Sequence, residues 1–517
     1  MVAPGRVLTC AHVVEDLGTV RVVPDRGASV EAGGVVPDVV EATVVARSPK
    51  RDESSGSVFW PFPDLALVEW DGWNAHVCAP LVGEDPVQTA QLHAWGFARR
   101  EDAVTPVGSP ASFVYVGVDG DGYLSLKAGA APPGLSGAPL VCPVRRGVVA
   151  VMSVSRDPSD DRGGWASPVA ALAGGELAGP GRDILELNRA TAWRSRDAWA
   201  LVLPVPGAQE RVGRPWDDAM VDPAGGQPSA MLRAEFMVVP YLFRDEALAV
   251  IRAWCGGPER FSIRYIEAAG GAGKTRFAFQ ACRAQQALGW VAGLEQDTDR
   301  GVDTLGVPRL LVVDYVEERD APALAQRLAA LHRSSTVMAP VRVLLLARPA
   351  TSALPGHVLQ PLQEVASGAA LSALDAATAA SSATGELTLD QRQELFLQGL
   401  AAFGRTWHGE SWTQPVTSIV LTGDRYARPL DVLFAAFDAA LSGPGWQTGA
   451  RLPVERALDH EVHHWTKRMP GFDPHLLSQC VALATLAGAN DDAQAHDLLD
   501  LIPALTGVPS ARQVIHT

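Results

Sequence analysis

VLTCAHVV (Val7–Val14) is followed by PDLALVEW (Pro63–Trp70) and then by GLSGAPLV (Gly134–Val141). Each stretch joins one polar residue to an apolar run. His12 follows a β-branched run and opens a turn. Asp64 leads straight into an apolar run, and Ser136 sits between glycines ahead of another. Working outward, short runs rich in β-branched residues recur at Val20–Val23, Ala42–Ala46, Leu65–Trp70, Phe113–Val118 and Gly147–Val154, separated by Gly, Pro and Asp clusters. That pattern predicts an all-β barrel or sandwich over residues 1–175.

A hydroxyl becomes a nucleophile when an imidazole takes its proton and a carboxylate fixes the tautomer of that imidazole. His12, Asp64 and Ser136 supply these groups in that local context. The backbone N–H groups of Gly134 and Ser136 would form an oxyanion hole, with Gly134 permitting the backbone conformation required there. A lone G-x-S-G is weak; three such stretches in this order are specific. They resemble the trypsin-like serine peptidases of the bacterial HtrA type, over roughly residues 1–172. The resemblance implies a double β-barrel, a protein substrate, His12 as general base, Asp64 as its orienter and Ser136 as nucleophile. Leu135 stands where relatives carry Asp before the serine, so activation by a freed N-terminal amine is not expected. Ala138 stands where they carry a second glycine. Relatives have a Gly-rich strand just before the equivalent of Val2–Gly5, so one strand of the first barrel is expected to be absent. Ala130 points to a small or apolar P1 residue.

In the second half, EAAGGAGKT (Glu267–Thr275) precedes RLLVVDY (Arg309–Tyr315). Gly270, Gly271 and Gly273 allow successive N–H groups to face one phosphate, Lys274 reaches the β/γ-phosphates, and Thr275 offers a hydroxyl to Mg²⁺. Ala268 replaces the first glycine of the usual pattern. Asp314 ends an apolar run, as a magnesium-binding carboxylate should. The expected cofactor is ATP or ADP with Mg²⁺, with Thr275 and Asp314 at the metal. A second acid often follows the first; here Tyr315 does, leaving Glu317 or Glu318 to reach over, which suits a slow switch. Strands are predicted at Phe261–Ile266, Leu310–Val313 and Val343–Leu346, and a helix at Lys274–Leu288 stopped by Gly289, giving an α/β core over residues 231–365. GGAGKT, Asp314, VLLLARP ending in Arg348, and RPLDVL (Arg428–Leu433) together resemble the signal-transduction ATPases with numerous domains (STAND), over about residues 235–517. The resemblance implies that Arg348 senses the γ-phosphate and that Pro429 lies against the nucleotide in a helical lid. An ordinary surface arginine and a helix-N1 proline are the plainer readings. It also implies nucleotide-dependent homo-oligomers and a C-terminal sensor, here missing or supplied by a separate partner.

Residues 366–517 are Ala- and Leu-rich, with helices predicted at Gln391–Phe403, Leu430–Leu441 and Gln479–Ala487, a helical lid and winged-helix region. Residues 176–230, with AGGELAGPGR and DPAGGQPSA, read as a linker with one or two docked segments. The expected architecture is therefore an all-β double barrel, then an α/β P-loop NTPase, then a helical region. With 47% hydrophobic and 20% charged residues, cores are expected. The net charge of −15 disfavours non-specific nucleic-acid binding. Six scattered cysteines read as reduced thiols of a cytoplasmic protein, and no apolar run is long enough to span a membrane. His460-Glu461-Val462-His463-His464 matches the zinc motif H-E-x-x-H, but no third ligand has persuasive spacing, and a polar helix face is the better reading. Two functions remain open: an ATP-gated serine endopeptidase acting in defence, and an assembly protein whose peptidase-like part only binds.

Overall fold

The computed structural model describes residues 1–24, 37–50, 60–74, 76–98, 107–129, 134–155, 163–202, 207–212, 228–295, 302, 305–348, 387–414, 419–443, 446–448, 451–468 and 473–487. Four strands, β1 (Arg6–Thr9), β2 (Thr19–Val22), β3 (Val40–Arg47) and β4 (Ala66–Glu69), form an antiparallel sheet in the order β1-β4-β3-β2. Six more, β5 (Gln91–Ala98), β6 (Val107–Val118), β7 (Leu124–Lys127), β8 (Pro139–Cys142), β9 (Gly147–Ser155) and β10 (Gly164–Pro168), close into a barrel. The double barrel expected from the sequence is thus seen as one closed barrel and one open sheet. Among the described residues no strand pairs with the outer edges of β1 and β2, which closure of the first sheet requires. Leu8 and Leu67 of the sheet and Val148 and Val151 of the barrel share one core.

That core extends past residue 175. Leu177 and Ile184, the latter in α1 (Ala178–Thr191), belong to it. The Gly- and Pro-rich stretch that reads as a loop therefore runs through a 3₁₀ turn (Gly175–Leu177) into the first turn of α1. Gly181 is the reason: a Cβ there would collide with the carbonyl of Leu172. Asn188 donates to Ala79 O (2.7 Å) and to Val2 O, and accepts from Leu81 N (3.0 Å). After α1 comes α2 (Arg196–Val202). Ser195 accepts from Cys78 N (2.8 Å), and Trp199 Nε1 donates to Cys78 O (2.9 Å). Arg196 turns the other way, donating to Gly257 O (2.8 Å) and Cys255 O, while Trp290 Nε1 donates to Asp197 (2.8 Å).

A four-stranded parallel sheet follows: β11 (Phe261–Glu267), β12 (Val291–Leu294), β13 (Arg309–Val313) and β14 (Val341–Ala347), in the order β11-β14-β13-β12. Every residue of β13 and β14 is buried, which is why these runs lack polar alternation. Leu311, Val313, Val343 and Leu345 fill the core on one face; Leu310, Val312, Leu344 and Leu346 fill it on the other. Helices α3 (Asp245–Gly256) and α4 (Lys274–Gln286) supply Ile251 and Phe277 to the second face, and α5 (Ala321–Ser334) supplies Leu328 to the first.

The remainder is helical among the described residues: α6 (Leu389–His408), α7 (Pro429–Ser442), α8 (Pro453–Arg468) and α9 (Pro474–Ala487). Thr388 and Gln391 form a reciprocal capping box at the start of α6. Gly399 allows α6 to approach Ala436 of α7, and Phe403 meets Phe437 edge-on at 5.8 Å. The expected winged-helix region falls partly at 488–517, outside the described residues. All six cysteines are buried free thiols. No helix among the described residues is long and apolar enough to cross a membrane.

Candidate active site and phosphate-loop cavity

His12 stands on a 3₁₀ turn (Ala11–Val14) directly after β1. Asp64 lies just before β4, completely buried and with φ of +47°. An isolated carboxylate would be costly there. Three donors compensate it: His12 Nδ1 at 2.8 Å, His12 N at 3.1 Å, and Ser153 Oγ. With Nδ1–H held by Asp64, the lone pair of His12 is on Nε2, the tautomer a general base needs. Ser153, in β9, is absent from the sequence reading. Its signal is a serine interrupting the apolar run VVAVMSV (Val148–Val154).

Ser136 follows Gly134, whose φ is +95°, and precedes Gly137, at +86°. A Cβ on Gly137 would stand 2.5 Å from Thr9 Oγ1, so only glycine fits against β1. Leu135 is buried in the barrel core, where its side chain closes on Gly96. The hydroxyl of Ser136 donates to Ser153 O at 3.0 Å. A hydroxyl has one proton to give, and no hydrogen bond joins Ser136 to His12 among the described residues. The Asp–His half of the constellation is formed, and the Ser136 hydroxyl is engaged by Ser153 O instead of by the imidazole.

Cys10 lies within 4.8 Å of His12 and Asp64. Burial, and then the Asp64 charge, push its pKa well up. It therefore remains a thiol, donating to Met152 O at 3.0 Å. Burial likewise raises the Tyr123 phenol, with Asp64 adding to the shift; its O–H donates to Trp60 O at 3.0 Å. Ala130, expected to bear on the P1 residue, lies outside the described residues.

The second constellation surrounds a cavity of about 390 Å³. Between β11 and α4 the chain turns through Gly271 and Gly273, at φ of +79° and +91°. Ala268 needs no such freedom, because its N–H continues the ladder by donating to Ala347 O (3.2 Å). Lys274 Nζ donates to the carbonyls of Ala268 and, at 3.2 Å, Ala269. Burial draws its pKa down, against the pull of Asp314 and Glu317. Thr275 Oγ1 donates to Asp314 Oδ2 at 2.8 Å, bringing together two hard oxygen donors that fit Mg²⁺. Arg348 stacks on Tyr315, 4.8 Å from the ring centroid, and its N–H donates to Glu317. Glu317 also keeps one buried carboxylate oxygen without a partner. All of Gly270, Gly271, Gly273, Lys274, Thr275, Asp314, Glu317, Arg348 and Pro429 line this cavity. Pro429 also occupies the first turn of α7, as the plainer reading of it expects. The neighbouring Arg428 donates to Gly270 O (3.2 Å), and Leu430 N donates to Gly271 O (3.2 Å).

The zinc motif on α8 is otherwise employed. His460 Nε2 contacts Asp438 at 2.9 Å, and Glu461 accepts from Ser229 N. Burial alone would raise Asp438; hydrogen bonds from His460 and Trp446 and the charge of Arg456 outweigh it and hold the carboxyl low. Asp491, Asp492 and His496, the downstream residues considered for a third zinc ligand, lie outside the described residues.

Residues 1–151 match the family described as the trypsin-like peptidase domain. Three solved structures are similar. A serine endoprotease from Yersinia pestis is 17% identical, with 36% of this chain and 56% of that one covered and a TM-score of 0.25. The HtrA-type protease AlgW with a decapeptide is 19% identical, with 36% and 50% covered and a TM-score of 0.26. The MamO protease domain from Magnetospirillum magneticum is 18% identical, with 33% and 83% covered and a TM-score of 0.24. The chain spans about half the length of the first two. No curated protein matches it. By the family match and the all-β fold, the N-terminal part is a trypsin-like peptidase domain.

Proposed function

We propose that the protein is an ATP-regulated serine endopeptidase, an effector in bacterial signalling or defence. The supporting observation is that the base and its orienter are paired in a domain that matches the trypsin-like peptidase family, while the Ser136 proton is directed to Ser153 O. In the reaction, Ser136 Oγ turns to His12 Nε2, gives up its proton and attacks the scissile carbonyl. The N–H groups of Gly134 and Ser136 receive the developing oxyanion, and His12 passes the proton to the leaving amine. Water, activated by the same imidazole, then releases the acyl group from Ser136. The phosphate-loop cavity supports the nucleotide part of the reading. Lys274 would hold the β/γ-phosphates and Arg348 the terminal one, with Thr275 and Asp314 at Mg²⁺. Bound Mg²⁺ would neutralise charge on the phosphate oxygens. The defence role rests on the order of the modules alone, by analogy.

The Ser136–Ser153 hydrogen bond also favours a second reading, an assembly protein whose peptidase-like part is a binding module. A fluorophosphonate serine probe decides between them. Labelling of Ser136 only with ATP–Mg²⁺ is the expected result. Equal labelling with and without nucleotide would remove the gating, and no labelling in either state would favour the binding module.

A further inference from the structure

Tyr315 stands where a second acid often follows the strand-ending aspartate, and there the chain leaves β13 for a 3₁₀ turn (Val316–Glu318). Its φ is +53°, a left-handed conformation that a bulky side chain seldom adopts. Such strain persists where the surroundings hold it, and it collects at functional sites. Two contacts hold Tyr315. Its N–H donates to Asp314 Oδ1 at 2.9 Å, on the carboxylate whose Oδ2 accepts from Thr275 Oγ1 at 2.8 Å. Arg348 Cζ lies over its ring, 4.8 Å from the centroid. One residue thus ties the Thr275–Asp314 pair to Arg348.

Both side chains are accessible. Tyr315 and Arg348 line the cavity and each is exposed, Tyr315 at 43%. The Arg348 charge is felt at Lys274: burial lowers the lysine pKa, Asp314 and Glu317 oppose the fall, and the like charge of Arg348 adds to it. Two cations facing one cavity repel, so the second needs an attachment. An acid at position 315 would hold the guanidinium by its N–H edge, the edge a phosphate uses. A ring holds it by its face and leaves that edge to other acceptors.

We infer that Tyr315 is a positioning residue: its ring holds Arg348 for the terminal phosphate and so sets a preference for nucleoside triphosphate over diphosphate. This rests on the nucleotide reading of the cavity. The test is calorimetric titration of the full chain with Mg-ADP and with Mg-ATPγS. It compares wild type, Tyr315→Ala, Tyr315→Phe, Arg348→Met, the double variant Tyr315→Ala/Arg348→Met, and Lys274→Ala. Loss of a cation–π contact should weaken Mg-ATPγS binding about 2- to 30-fold in Tyr315→Ala. Mg-ADP binding should stay within about twofold of wild type, which also shows that the variant is folded. Tyr315→Phe keeps the ring face and should bind both nucleotides as wild type does. The double variant should be no weaker than Arg348→Met, because without the guanidinium the ring has nothing to hold. Equal weakening toward both nucleotides in Tyr315→Ala would overturn the inference, since a structural role gives that result. So would unchanged or tighter Mg-ATPγS binding in Tyr315→Ala, a loss in Tyr315→Phe as large as that in alanine, or additive losses in the double variant. Absence of binding of either nucleotide by wild type, with Lys274→Ala indistinguishable, would instead bring down the nucleotide reading and this inference with it.

Discussion

Replacing Ser153 with alanine removes a hydroxyl donor to Asp64 that lies outside the His12–Asp64–Ser136 set. The carboxylate is fully buried and has three donors, of which Ser153 Oγ is one. A hydrogen bond to a charged group contributes about 1.5–3 kcal/mol. Deleting the Ser153 hydroxyl removes one of the two protein hydrogen bonds that Asp64 Oδ2 receives, the other coming from His12 Nδ1–H. For a unit of 150–250 residues, about 1 kcal/mol moves the midpoint by about 2–4 °C. The transition of the peptidase domain should therefore fall by about 3–12 °C. Reactivity should respond less. Both His12 donors to Asp64 remain, so the imidazole keeps its tautomer, and fluorophosphonate labelling of Ser136 should slow by less than about tenfold. Asp64→Asn is the contrasting variant: it reverses the tautomer, and a loss on the order of 10⁴ is expected. Differential scanning calorimetry and labelling kinetics measure the two quantities. An unchanged transition in Ser153→Ala would refute the argument that this hydroxyl supports the buried charge.

Gly137→Ala places a side chain at φ of +86° and 2.5 Å from Thr9 Oγ1. It should destabilise the domain by at least about 1–3 kcal/mol and slow Ser136 labelling; wild-type melting would contradict the fit described for that turn. His76 accepts the Gly5 N–H through Nε2 at 3.1 Å and must be neutral to do so. Burial lowers its pKa from 6.5. A depressed folded pKa means that the unfolded chain binds the proton more readily, so this contribution is complete above about pH 6.5 and is lost as the pH falls through the folded value. Melting of the domain followed from pH 8 to 5 should decline below about 6.5, and His76→Gln should flatten that part of the curve.

Both candidate sites are recognisable in the chain because each depends on residues close to the ends of strands. A histidine after β1, an acid before β4 and a glycine-flanked serine before β8 carry their own context. So do Lys274-Thr275 after β11 and Asp314 after β13. Residues that act across the fold leave fainter marks. Ser153 reaches Asp64 over 89 positions, and its local sign is no more than the break it makes in an apolar run. Tyr315 reads only as the replacement of a second acid until its ring is seen against Arg348. The reading failed most plainly at α1. Gly and Pro there signal a loop by local propensity, whereas the close approach of Leu172 to Gly181 makes glycine the residue that permits helix packing. Tertiary contact overrode propensity, as it commonly does.

The bonds around α1 and α2 bear on how far the two candidate sites are free of each other. A flexible tether sets an effective concentration, and its ends sample many orientations. Between Asn188 and Trp199 there is no such sampling to exploit. Asn188, Ser195 and Trp199 bind backbone groups at Val2, Cys78, Ala79 and Leu81, while Arg196 and Asp197 bind groups at Cys255, Gly257 and Trp290. The orientation between these elements is thus a bonded quantity, fixed within a dozen residues and independent of linker length. One short helical segment is thereby bonded on one side to the all-β part and on the other to the parallel-sheet part.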